Sequence, residues 1–108
     1  MNTNHVTLIG FVGGHLTRTK LLDDCLLVRM RVATTQLTKS RNGQTFRQTH
    51  WHDVVAFDAL ASYAEQNFVK GSRIMVHGSI DYRTWEDKSG QKRYYTDIKA
   101  YSLTNLDR

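Results

Sequence analysis

The chain has no proline and a single cysteine, Cys25, in 108 residues. One thiol cannot close an intramolecular bridge, so a disulfide framework is excluded and a reducing compartment is expected. With no proline, no low-complexity run and no internal repeat there is no linker, and one domain over residues 1–108 is expected. No apolar run approaches the ~20 residues of a membrane span. The opening MNTNHVTLIG carries no basic region ahead of its apolar residues, so it does not read as a signal peptide. A soluble, cytoplasmic protein with no membrane partner is the expectation.

Enzyme signatures are also missing. Gly10, Gly13 and Gly14 are not followed by the Lys-Ser/Thr of a phosphate loop, and Lys70-Gly71-Ser72 has the wrong order. No serine sits in a nucleophile elbow, and Cys25 has no partnered motif, so a buried, inert thiol is its expected state. His50 and His52 lie two apart on a strand pattern and point the same way. A catalytic zinc also needs a third ligand and an open position, and the chain continues Asp53-Val54-Val55-Ala56, with Asp53 on the other face. No enzyme, metal or cofactor is expected.

Present in excess is positive charge: 15 Lys and Arg against 10 Asp and Glu, a formal net charge of +5. A basic surface attracts polyanions, nucleic acid before others. Residues 5–12 are rich in β-branched and aromatic types, and the glycines that follow allow a long, coiled first strand. Along residues 25–36, Val28, Met30 and Val32 alternate with Arg29 and Arg31, which separates a core face from an outer one. After the turn-like 39–44, residues 46–57 put Trp51, Asp53, Val55 and Phe57 on one face and His50, His52, Val54 and Ala56 on the other.

Asp58 has the character of a helix N-cap, Leu60, Ala61, Ala64 and Phe68 form one apolar stripe, and Gly71 is the expected closing residue. Residues 73–86 and 92–103 read as two further strands joined by a hairpin. Five strands with one helix between the third and fourth is the order of the OB-fold, an all-β, five-stranded Greek-key barrel.

Aromatic rings and cations share the outer face. Trp51 and Phe57 lie together on the third strand, and Trp85 lies on the fourth with Arg83 pointing the same way. Flat rings accept unpaired bases at ~1–3 kcal/mol each while Lys and Arg neutralise phosphates, giving affinity with little sequence preference. A Trp or Phe on a strand is more often core, and charged hairpins are usually only solvated surface. Trp85 precedes a polar hairpin, where a fully buried indole is unfavourable, and is the better exposed platform of the two tryptophans.

The spaced residues Thr49-His50-Trp51-His52, Val54, Val55, Phe57, Leu60-Ala61, Lys70-Gly71-Ser72, Val76, Gly78, Arg83, Trp85, Gly90 and Arg93-Tyr94 closely resemble the bacterial single-stranded DNA-binding protein family. Asn4-His5-Val6, Leu8-Ile9-Gly10, Gly13 and Val32-Ala33-Thr34 extend the likeness over nearly the whole chain. The resemblance implies an OB-fold, assembly usually as a homotetramer with a dimer as the alternative, and wrapping of single-stranded DNA in replication, recombination and repair at the nucleoid. It places Trp51, Phe57 and Trp85 at stacking positions, Lys70 and Arg83 on the DNA path, and His52 near a subunit interface. Lys39, Arg41, Lys88, Lys92 and Arg93 on the basic loops are expected to join the DNA contacts.

The chain departs from the family pattern in three ways. A further tryptophan expected soon after Ala33-Thr34 is replaced by Leu37 or Thr38, and Asp53 and Asp81 fall on the aromatic faces where relatives often carry basic residues. The chain ends at Asn105-Leu106-Asp107-Arg108 without an acidic tail, so tail-mediated protein partners are not expected, whether the form is tail-less or truncated. The alternative is a primosomal-type accessory module that mainly binds replication proteins.

Overall fold

A computed structural model describes residues 2–107, which form five strands and one helix: β1 (Val6–Lys20), β2 (Leu26–Lys39), β3 (Thr45–Phe57), α1 (Asp58–Asn67), β4 (Arg73–Glu86) and β5 (Lys92–Asn105). The strands close into a barrel in the order β1-β2-β3-β5-β4. This is the expected OB-fold order with its helix between the third and fourth strands.

Closure depends on the long first strand serving two neighbours. Val6–Phe11 pairs with β4, and the strand from Phe11 to Lys20 pairs with β2 across a register shift between Gly13 and Thr17. Gly14 has φ 78°, where a side chain would be strained, so the bend falls at the glycines. β3 meets β5 in parallel at Val54–Ile98 and Val55–Lys99, which shuts the barrel.

The alternation read on β2 and β3 sorts the two faces correctly. Val28, Met30, Val32, Val54 and Ala56 point inward and are essentially solvent-free, together with Val12, Ile74 and Val76. The helix packs against the barrel through Ala61 and Ala64, and Phe68, directly after it, joins them in the same apolar cluster. The apolar stripe expected on α1 is therefore its buried side.

Three local expectations are corrected. Asp58 does not cap α1: it is the first helical residue, the N-cap is Phe57 with no side-chain cap hydrogen bond, and the Asp58 Oδ1 instead accepts the Leu26 N–H at 3.2 Å. Tertiary pairing to β2 outweighs the local cap. Gly71 does not end the helix either, because Phe68 is already extended and Gly71, at φ 92°, shapes the loop that follows. Cys25 is half-buried, and desolvation together with the neighbouring Asp58 carboxylate pushes its thiol pKa up.

Candidate nucleic-acid interface

Trp51 stands on the outer face of β3, directly across from Ala33 of β2, and is 50% exposed. The small partner leaves room above the sheet. On the β1 side the indole edge reaches over Gly13, where a Cβ would lie 2.6 Å from Trp51 Cη2 and closer still to Cζ3. Only glycine admits the ring in this position. The Arg31 guanidinium lies 5.0 Å above the indole, and its Nε sits 3.9 Å from Asp53 Oδ1. Asp53, an acid on the same outer face as Trp51, is thus loosely neutralised by its neighbour across the sheet.

Lys70 joins this patch through backbone hydrogen bonds. Val12 N–H donates to the Ser72 carbonyl at 2.9 Å, and Gly71 N–H donates to the Val12 carbonyl at 2.7 Å, which ties the loop after α1 to β1 beside Gly13. Lys70, Arg29, Arg31, Asp53 and Trp51 line one open groove of about 520 Å³.

The second patch spans β4 and β5. Trp85, 48% exposed, stacks on Tyr95 with ring centroids 6.0 Å apart and planes 9° from parallel, and the Arg83 guanidinium covers Tyr95 at 5.6 Å. Arg83 and Tyr95 are direct cross-strand partners, so pairing itself builds this row. Beneath it lies Asp97, 3% exposed, whose Oδ2 accepts Arg83 Nε at 2.5 Å and whose Oδ1 accepts Arg29 at 3.1 Å. Phe57 is half-buried, with Lys99 Nζ 5.3 Å over its ring. Asp81 is exposed opposite Asp97 and makes no ion pair with any described residue.

The remaining cations expected at the site sit on two arms. Lys39 ends β2 and Arg41 lies in the turn beyond it, while Lys39 pairs with Thr45 six residues up the strand from Trp51, about 20 Å away at strand rise. The arm holds Lys39, Arg41 and Arg47 and no acid from Thr35 to Thr49. It also exposes Phe46, directly across from Thr38, so a ring stands on the strand opposite the one where an aromatic was missed. On the β4–β5 hairpin Lys88 and Lys92 are exposed, whereas Arg93 Nε donates to Asp87 Oδ2 at 3.1 Å. Hydrogen bonds to Asp87, first from the Ser89 hydroxyl and then from Gln91 N–H and Arg93, hold its carboxyl below the usual pKa range.

His52 is half-buried, with Nε2 2.9 Å from Thr34 Oγ1. Desolvation lowers its pKa, His50 adds to the effect and Asp53 opposes it. Among the described residues no group of three or more His, Cys, Asp or Glu gathers where it could hold a metal ion, and no helix is long and apolar enough to cross a membrane.

The structure thus joins Trp51 with Lys70 and Trp85 with Arg83, and leaves Lys39, Arg41, Lys88 and Arg93 on the arms. Arg29, Arg31, Phe46, Tyr95, Asp97 and Lys99 complete the surface and were missed by sequence reasoning. Alternation places Tyr95 and Asp97 on one face of β5, but only the strand register reveals Trp85, Arg83 and Arg29 as their neighbours.

The profile of the Single-strand binding protein family matches residues 3–106. The Single-stranded DNA-binding protein 1 of Xylella fastidiosa is 37% identical over 106 residues, covering 97% of this chain and 78% of that protein. The Single-stranded DNA-binding protein of Rhizobium meliloti is 33% identical over 112 residues, covering 98% of this chain and 64% of that protein. A solved complex of a Plasmodium falciparum SSB with ssDNA is similar in fold at TM-score 0.89 and 27% identity, covering 99% of this chain and 97% of that one.

Proposed function

Because the chain belongs to the Single-strand binding protein family, we propose that it binds single-stranded DNA without sequence preference, by base stacking and phosphate neutralisation. The observation that carries this reading is the exposure of two half-open tryptophans, Trp51 beneath the Arg31 guanidinium and Trp85 stacked on the Tyr95 ring that Arg83 covers. A core ring would be buried; these are not. Bases stack on Trp51, Trp85 and the Phe57 edge, with Phe46 a further ring on the β2–β3 arm. Phosphates are met by Lys70, Arg31 and Arg83 near the barrel and by Lys39, Arg41, Lys88 and Arg93 on the arms.

The charge pattern grades the contribution of each region. On the barrel face Arg29, Arg31, Arg83 and Lys99 are interleaved with Asp53, Asp81 and Asp97, so stacking dominates there. Long-range attraction comes from the acid-free β2–β3 arm. Replication, recombination and repair in the cytoplasm at the nucleoid are the settings in which such binding acts, with no catalysis of its own, and residues 1–108 act as one binding domain.

Homo-oligomerisation, most simply as a tetramer, is supported by a separate apolar strip on β1, where Ile9 is 53% and Phe11 56% exposed. His52 is proposed to lie near a subunit contact. Titration with oligo-dT followed by tryptophan fluorescence tests the binding: quenching is expected, and its absence at low salt would refute the reading. Mass measurement in solution tests the assembly, a tetramer supporting it and a dimer favouring the accessory-module alternative.

A further inference from the structure

We propose that Asp97 is a positioning residue for single-stranded DNA: it presets the two arginines and, through Arg83, the Tyr95–Trp85 stack that receives bases. The inference rests on the DNA-binding reading above. Asp97 is the most buried acid in the described structure, at 3% exposure, yet it sits beneath a face meant for a polyanion. An anion there opposes phosphate electrostatically, so charge attraction to DNA does not explain it.

Its geometry does. One oxygen takes Arg29 from β2 and the other takes Arg83 from β4, so a single carboxylate links two strands that are not neighbours in the barrel. Arg83 commits its Nε–H to Asp97, and a guanidinium has five N–H donors, so most of its donors remain for phosphate. Held in this way, its Cζ covers one ring, Tyr95, and Tyr95 lies nearly parallel to Trp85. Side-chain freedom is removed before DNA arrives, and the ordering that binding would otherwise require is already done.

Two opposite outcomes separate this role from plain electrostatics. Asp97→Asn removes a negative charge from the DNA face. If charge alone mattered, oligo-dT affinity would rise and the slope of log K against log salt would steepen. Positioning predicts the reverse: roughly tenfold weaker binding at low salt and no steeper slope. It also predicts a changed Trp85 emission in a Trp51→Phe background, where Trp85 is the one remaining tryptophan.

The comparison is made well below the melting temperature, where lost stability leaves the affinity of folded protein unchanged. Equal or tighter binding by the folded variant overturns the proposal. If Asp97→Asn does not fold, the wild-type protein supplies the test through the Arg83 Nε–H and Arg29 Nη1–H resonances, the two donors to Asp97: continued protection from exchange on adding oligo-dT supports it, and loss of protection overturns it. Failure of the wild type to bind oligo-dT at all would instead refute the DNA-binding reading itself.

Discussion

Replacing Gly13 by Ala isolates the seat of Trp51. The position has no left-handed φ, so alanine meets no backbone strain, but its Cβ would overlap the indole at Cζ3 and lie 2.6 Å from Cη2. The ring edge has to retreat by about 1 Å or more to recover ordinary carbon–carbon contact. Trp51 is half-exposed and outside the core cluster, so the ring swings outward more readily than the barrel deforms. A displaced platform forfeits up to one base stack, ~1–3 kcal/mol, which is about a 5- to 150-fold loss of oligo-dT affinity. Fluorescence titration measures the affinity and circular dichroism the melting temperature, which should move little. The same substitution in a Trp51→Ala background should have no further effect on binding, since it acts through the ring. Wild-type affinity and quenching in Gly13→Ala, or an equal loss in the Trp51→Ala background, would refute the reasoning.

Asp53→Lys should tighten oligo-dT binding about fivefold at low salt, since each unit of charge at ~8 Å from a phosphate in water is worth about 0.5 kcal/mol, and the gain should fade in high salt. Phe46→Ala should weaken binding to oligonucleotides long enough to reach from the barrel to the arm and leave short ones unaffected; equal effects on both lengths would remove Phe46 from the stacking set. Folded protein keeps His52 neutral below its ordinary pKa of 6.5, so the unfolded chain takes up that proton first. The His52 share of stability is complete above about pH 6.5 and is lost as pH falls through that value toward the lower folded pKa. Melting curves from pH 7.5 to 5 should show a decline that is smaller in His52→Gln. Asp87→Ala removes the acceptor of the Ser89 and Gln91 hydrogen bonds, and hydrogen exchange of the β4–β5 hairpin should accelerate while barrel amides stay protected.

The alternation of Val28, Met30 and Val32 with Arg29 and Arg31 was readable directly, because side chains on a strand change face every residue whatever lies beside them. The apolar spacing of Ala61, Ala64 and Phe68 was readable for the same kind of reason. Asp58 was misread because its cap-like identity is local, while its carboxylate is claimed by Leu26, 32 positions away. Tyr95 and Asp97 were invisible as site residues because nothing near them in the chain is their partner: Trp85 and Arg83 lie across the hairpin, and Arg29 comes from the second strand.

The sequence by itself determined which side chains face outward, where the helix falls and that rings and cations share a surface, since these follow from periodicities of two and 3.6 residues. Tertiary structure alone decided that Arg31 offsets Asp53, that Gly13 seats Trp51 and that Asp97 joins two strands. Those contacts depend on strand register and barrel closure, and register is a property of paired chains that no single stretch of sequence contains.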